Sequence, residues 1–410
     1  MLPYYHISRI KRKRKEKGGG FMLHTPEGVR DIYNGECRMK QRMENRLRQV
    51  FHLYGFEDIE TPSFEFFDVF NKERGTISSK EMYKLFDREG NTLVLRPDMT
   101  PSVARCAAKY FKEESLPIRL CYSGSTFINN ESHKGKLNEV TQLGAELIND
   151  GSVEADAEML AMTIEALKSA GLTEFQVEVG HADFLKGLLE ETGCTVEEKA
   201  EIRLLMESKN IFGIEEFVEK KQLPLHLKEL FTVLPELFGN IEDLVQIENK
   251  IQNEASQRAL ERLKHLHKLL KFYKLENYVT FDLGMLSRYD YYTGIILKAY
   301  TYGTGEPVAT GGRYDSLVGQ FGKDAPAIGV AIVADQLLLA LERQKKVLEE
   351  KPEVTVVLYR EENSEQAISV AALLRQEGKK VFLSSIGEKD EKELYEKYQK
   401  NSRVEKVIVL

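Results

Sequence analysis

The apolar positions fall into blocks of two periods. From Asn34 to Gly55, Met39, Met43, Leu47, Val50 and Phe51 recur every three or four residues, which predicts one long helix with a single buried face. Gly55 to Pro62 reads as a short strand stopped by a proline that cannot donate to a ladder. Short strands are expected at Thr92 to Leu95, Ile118 to Tyr122 and Leu137 to Ile148. A helix is expected at Ala155 to Ala170, where Ala157, Leu160, Ile164 and Leu167 share a face. From about 185 to 277 the chain is rich in Glu, Lys and Leu, poor in glycine and helical in period, which reads as a helical insertion. Strand character returns at Val279 to Leu283 and Tyr291 to Thr301, and a turn over Gly303 to Glu306 leads back through Pro307 to Thr310 as an antiparallel hairpin. The tail alternates strand and helix from Val354 to Leu410, with Ser364 as a candidate N-cap and Gly378 as a helix stop. That alternation predicts a small α/β domain, 354–410, after a linker near Glu349 to Glu353.

Composition narrows the class. The 410 residues suggest two to three domains, and 42% hydrophobic content excludes disorder over most of the chain. Lys and Arg number 58 against 65 Asp and Glu, a net charge of -7, which argues against a protein built mainly to hold nucleic acid. The charge is uneven. Arg9 to Lys17 holds seven basic residues against one acid, a local +6, so the rest of the chain carries -13. Such an arm could attract phosphates. It also reads as translated leader: Lys17-Gly18-Gly19-Gly20 just before Met22 is what a purine-rich ribosome-binding site encodes, making residues 1–21 a non-native arm and Met22 the start in place of Met1. Cys37, Cys106, Cys121 and Cys194 form no CxxC pair, so neither a zinc ribbon nor a disulfide framework is suggested, and a reducing cytoplasm fits. No apolar run is long enough to span a bilayer.

The common catalytic signatures are missing. Gly303-x-Gly305 lacks the third glycine and following helix of a dinucleotide fingerprint, and there is no phosphate loop, Gly-x-Ser-x-Gly elbow or His-Glu-x-x-His helix. His265 and His267, two apart on a Lys-rich helix, read as solvated. What remains is a set of polar residues in otherwise apolar surroundings: Arg96, Asp98 and Thr100; Gln142 and Glu146; Tyr291 and Tyr292. If the segments are strands, Asp98 and Thr100 share a face, as do Gln142 and Glu146. Carboxylates, an amide and phenols on one face would suit a cationic amino group and a hydrogen-bonding ring. Spacing alone leaves each of them equally readable as a capped surface residue.

From Leu23 onward the chain resembles histidyl-tRNA synthetases, class II aminoacyl-tRNA synthetases with an antiparallel sheet flanked by helices. The matching pieces are Thr25-Pro-Glu-Gly-Val-Arg-Asp31, Gly55 to Pro62, Cys121 to Glu146, Asp290-Tyr-Tyr-Thr-Gly294 and Gly311-Gly-Arg-Tyr-Asp315. The resemblance implies an α+β fold with a core over 22–348 and a C-terminal domain, about 60 residues, that is short for an anticodon-binding module. It places α-amino contacts on Asp98, Thr100 and Gln142, and imidazole contacts on Glu146 and Tyr292 with Tyr291 beside them. Asp98 stands where the family usually has glutamate.

The catalytic arginines depart from that pattern. Ile128 occupies the motif-2 arginine position, Gln336 the second ATP-binding position in motif 3, with Val333 at a glycine position, and Ser287 the histidine-specific arginine position. Arg288 is one residue away, on the opposite face if the segment is extended. Each such charge-assisted contact is worth a few kcal/mol in a dry site, so losing three should abolish adenylation. A synthetase-like chain of this kind resembles the regulatory subunits of ATP phosphoribosyltransferase. That resemblance implies a non-catalytic, cytoplasmic protein without cofactor or metal. Its implied partner is the short-form catalytic subunit that joins ATP to phosphoribosyl pyrophosphate in the first step of histidine biosynthesis. A homodimer core within a hetero-oligomer and feedback by histidine are also implied, with no tRNA expected. An active histidyl-tRNA synthetase and a stand-alone histidine- or tRNA-binding module are the other readings.

Overall fold

The computed structural model describes residues 24–70, 77–130, 136–286, 291–346 and 352–410; the basic arm, Met22 and Ser287 lie outside them. The chain divides into two compact units at 344/345. In chain order the first holds α1 (Asn34–Leu53), β1 (Glu57–Asp58), β2 (Phe64–Phe66), β3 (Lys84–Phe86), β4 (Thr92–Leu95), α2 (Thr100–Tyr110), β5 (Ile118–Phe127), β6 (Glu139–Ile148), α3 (Val153–Ala170) and β7 (Phe175–His181). Next come α4 (Ala182–Glu191), α5 (Val196–Glu207), α6 (Ile211–Lys220), α7 (Leu225–Val233), β8 (Phe238–Gly239), α8 (Ile241–Val245) and α9 (Glu254–Tyr273). The unit closes with β9 (Val279–Asp282), β10 (Ile295–Thr301), β11 (Ala309–Arg313), β12 (Ala327–Val333) and α10 (Ala334–Arg343).

Nine strands form the main sheet in the order β1-β5-β6-β12-β11-β10-β7-β9-β8. Its pairings are antiparallel except β1 with β5 and β7 with β9. β2, β4 and β3 make a separate antiparallel sheet. α1 and α3 supply the main apolar cover: Met43, Leu47 and Phe51 from the first and Met159, Leu160, Met162 and Ile164 from the second are buried in one core with Leu143, Val177 and Leu297 of the strands. Local chemistry sets the ends of α3. Ser152 Oγ accepts from the Ala155 amide at 3.1 Å, and Gly171 leaves the helix at φ 106°, a conformation that favours glycine. α9 runs against α3 and α4, burying Leu263, Leu266 and Leu270.

The second unit is a three-stranded parallel sheet, β14-β13-β15, of β13 (Val354–Tyr359), β14 (Lys380–Ser385) and β15 (Val404–Val409). Helices α11 (Ser364–Gln376) and α12 (Glu391–Gln399) connect the strands around a core of Val356, Leu358, Ile386 and Leu394.

Four local readings change. Only Glu57–Asp58 of the Gly55–Pro62 segment pairs, because the chain then turns away under the Arg96 guanidinium, which donates to the carbonyls of Thr61 at 2.6 Å and Ser125 at 2.8 Å. Asp98 and Thr100 do not share a strand. β4 ends at Leu95, Asp98 lies in a turn and Thr100 opens α2, where Pro101 fits the first turn because its missing N–H would be unpaired there anyway. Ser364 is the first residue of α11, with Asn363 at the N-cap position. His267 is not solvated like exposed His265: its ring packs edge-on against Phe281 at 5.8 Å.

Candidate functional site

The floor of the site is made by neighbouring strands whose register sets large side chains over glycines. On β6, alternation brings Gln142, Gly144 and Glu146 to one face. Glu146 pairs across with Gly329 of β12, and Gly144 with Tyr122 of β5. A Cβ on Gly329 would lie 1.6 Å from Glu146 Oε2, and one on Gly144 would lie 2.3 Å from the Tyr122 hydroxyl oxygen. A Cβ on Gly312 would meet the Tyr292 ring at 2.8 Å. These glycines are therefore spaces that neighbouring side chains fill.

The opposite wall comes from the turn before α2 and the segment before β10. The Thr100 amide donates to Asp98 Oδ1 at 3.4 Å, and the Tyr291 hydroxyl donates to Asp98 Oδ2 at 2.9 Å. Tyr291 meets Tyr292 edge-on at 4.9 Å and Tyr314 at 6.1 Å. Between floor and wall is a small recess, open to solvent and lined by Asp98, Thr100, Gln142, Tyr291 and Tyr292 together with Tyr314. The Gln142 side-chain oxygen is buried with no hydrogen-bond partner among the described residues, an acceptor left for something else.

Glu146 lies beneath this wall. Fully buried, it accepts from the Thr100 hydroxyl at 2.8 Å and Tyr122 at 3.4 Å on Oε1, and from Tyr314 at 2.6 Å on Oε2. Burial pushes its pKa up to about 8; the hydrogen bonds from Tyr314 and Thr100 oppose that rise, and the charge of Asp98 adds to it. Burial, followed by the charge of Glu146, also raises the Tyr122 and Tyr314 phenols.

Five of the six residues that the resemblance places at the ligand thus line one recess, and the sixth, Glu146, holds it from below. Tyr122 and Tyr314 escaped the sequence reading. Tyr314 does sit inside the Gly311–Asp315 run, but the role of Tyr122 depends on its register against Gly144. The buried Arg313 of the same run does not enter the recess. Its guanidinium donates to Asp156 Oδ1 at 2.9 and 2.5 Å, while Arg262 of α9 donates to Asp156 Oδ2 at 2.7 Å. One fully buried carboxylate therefore ties β11 to the helical insertion.

At the positions where the resemblance places catalytic arginines, Ile128 packs against the apolar cluster formed by Val69, Phe70, Ile77, Met82 and Val94, and Gln336 is half-buried in the first turn of α10. Val333 pairs with Gln142. Ser287, with Arg288 and Asp290, lies outside the described residues.

A family model described as histidyl-tRNA synthetase matches residues 28–337. An ATP phosphoribosyltransferase regulatory subunit of Acetivibrio thermocellus is 44% identical over 357 residues, 87% of this chain and 85% of that protein. One from Clostridium kluyveri is 36% identical over 386 residues, 94% of this chain and 98% of that protein. The chain belongs to the family of ATP phosphoribosyltransferase regulatory subunits. Among solved structures, one from Bacillus halodurans, described as an ATP phosphoribosyltransferase regulatory subunit/histidyl-tRNA synthetase, superposes with a TM-score of 0.84 at 32% identity, covering 95% of this chain and 98% of that one. A histidyl-tRNA synthetase from Nostoc, 20% identical, covers 93% of this chain and 90% of its own at a TM-score of 0.76, a likeness of fold alone. The fold is thus the class II synthetase fold expected from the motifs, and the family is one of regulatory subunits rather than of tRNA ligases. Among the described residues no helix is long and apolar enough to cross a membrane.

Proposed function

We propose that this chain is the non-catalytic partner of a short-form ATP phosphoribosyltransferase and that its recess binds histidine. The observation that carries the ligand is the recess itself, where buried Asp98, several phenols and the Gln142 oxygen, without a hydrogen-bond partner among the described residues, converge above Glu146. Asp98 at the wall suits an ammonium group, the Gln142 oxygen accepts a further N–H, and Tyr291 and Tyr292 offer faces and edges to an imidazole. Glu146 acts from below by orienting the Thr100 and Tyr314 hydroxyls. The loss of adenylation is supported by Ile128, which offers no donor and contributes to an apolar cluster, and by Gln336, which carries no charge. Ser287 is the third replacement.

Under this reading the chain forms a homodimer core within a hetero-oligomer. Histidine regulates by binding two assembly states with different affinity, since a ligand of equal affinity for both shifts nothing. Calorimetry tests the pocket: histidine should titrate into the wild type, alone or in complex with the catalytic chain, and Gln142→Ala and Glu146→Ala should weaken it. Equal affinity in wild type and variants, or no binding in either, overturns the pocket. Co-purification tests the partner: a short phosphoribosyltransferase chain is expected, whereas bound tRNA or histidine-dependent ATP–pyrophosphate exchange refutes the assignment.

A further inference from the structure

Away from the recess, three side chains of different chemistry meet where α1, β1 and β5 come together. His52 is in the last turn of α1, Asp58 on β1 and Cys121 on β5, directly opposite Asp58 in the parallel pairing. His52 Nε2 is 3.0 Å from Asp58 Oδ2, the Cys121 thiol donates to Asp58 Oδ1 at 3.7 Å, and one donor atom from each residue lies within 4.8 Å of the others. We propose that His52, Asp58 and Cys121 form a binding site for a zinc-class divalent ion, held by nitrogen, oxygen and sulfur.

Metal–ligand bonds of about 2.0–2.3 Å around a tetrahedral ion separate neighbouring donors by roughly 3.3–3.8 Å. The 3.0 and 3.7 Å spacings lie close to that range, and donors as far as 4.8 Å apart would draw together by roughly an ångström. The donor set selects the ion. Thiolate and imidazole favour zinc and its neighbours over magnesium or calcium, which prefer oxygen. Burial is graded across the site: Cys121 is 1% exposed, whereas the His52 and Asp58 side chains are 44% and 48% exposed. The sulfur thus forms the back of the site, and a water completes the fourth position from the open side. Binding exchanges the thiol proton of Cys121, released to solvent, for the metal–sulfur bond.

One neighbouring cation competes. Arg48, one turn before His52, places Nε 3.4 Å from Asp58 Oδ1. Both side chains of that pair are more than two-fifths exposed, and ion pairs of this kind contribute about 0–1 kcal/mol, little against a metal–ligand bond. Arg119, also on β5, is already engaged by the Tyr54 carbonyl and the Glu158 carboxylate. No short sequence spacing joins positions 52, 58 and 121. Only the helix-to-strand turn and the β1–β5 register bring them together, and β1 pairs through only two residues there. A bound ion would pin that short pairing to the end of α1.

The test is titration of the untagged full chain with Co²⁺ and then Zn²⁺. One equivalent of Co²⁺ should give a near-ultraviolet thiolate-to-cobalt charge-transfer band that Zn²⁺ displaces. Cys121→Ser should abolish the band. The exposed-residue variant His52→Gln, which leaves the core intact, should weaken binding about 10-fold or more. Absence of the band in the wild type overturns the proposal, as does an unchanged band in Cys121→Ser, which would place the metal on another cysteine. Unchanged affinity in His52→Gln overturns it too and does not depend on how well the Cys121 variant folds.

Discussion

Gly329→Ala tests whether the Glu146 network holds the site together. The new Cβ would lie 1.6 Å from Glu146 Oε2 and 2.5 Å from its Cδ, against an ordinary carbon–oxygen approach of about 3.3 Å. One of the two groups must therefore move by well over an ångström. The carboxylate has nowhere free to go, since Oε2 is held by Tyr314 at 2.6 Å and Oε1 by Thr100 at 2.8 Å in a fully buried position. Displacement orphans at least one buried hydroxyl at about 1–3 kcal/mol, and overpacking adds a further 1–3 kcal/mol or so. The expected loss is about 2–6 kcal/mol, read as a lower urea midpoint by far-ultraviolet circular dichroism. Because the penalty comes from one pair, adding Glu146→Ala to Gly329→Ala should cost much less than the two single losses combined. A loss below about 1 kcal/mol for Gly329→Ala, or strict additivity in the double variant, refutes the reasoning.

Glu146 should also shape the pH dependence of stability. Its folded pKa, about 8, lies above its ordinary 4.5, so the folded state keeps a proton that the unfolded state has lost. Its contribution is complete below pH 4.5 and is lost as pH rises towards 8; urea midpoints at pH 5 and 9 should show a smaller difference in Glu146→Gln than in wild type. His181 has the opposite sign. Burial first, then the nearby charges of Arg262 and Arg313, lower its pKa to about 3, so stability is present above 6.5 and lost as pH falls towards 3. His181→Asn keeps an acceptor for the Asp183 amide and should flatten that acid limb in the same assay. Asp156→Ala leaves Arg313, 2% exposed, without its buried counter-charge and should cost about 3–5 kcal/mol in a denaturant titration, whereas a change under 1 kcal/mol would show that the network carries little.

Local pattern sufficed wherever neighbouring residues in sequence decide the outcome. The three- and four-residue recurrence from Met39 to Phe51 marked α1, and the turn at Gly303 to Glu306 marked the β10–β11 hairpin. Gly378 marked the end of α11 to within two residues. The site residues were legible as polar intrusions into apolar segments, and the motif resemblance assembled them. Their arrangement was not. Asp98 and Thr100 meet the recess from a turn and a helix start rather than a strand, because Pro101 favours a helical first turn. Glu146 lies beneath the wall because Thr100, Tyr122 and Tyr314 close over it.

By itself, then, the sequence determined α1, α3, the helical character of the insertion, the β10–β11 hairpin and the alternating tail, but not β7, β12, α2 or α10; it also determined the polar set Asp98, Thr100, Gln142, Glu146, Tyr291 and Tyr292, and the absence of arginine at Ile128 and Gln336. Only the tertiary structure decided which glycine faces which large side chain, that Asp156 joins β11 to α9, and that His52, Asp58 and Cys121 meet. The reason is that periodicity records which side of an element is buried, whereas these contacts depend on cross-strand register and on packing between residues tens to hundreds apart in the chain.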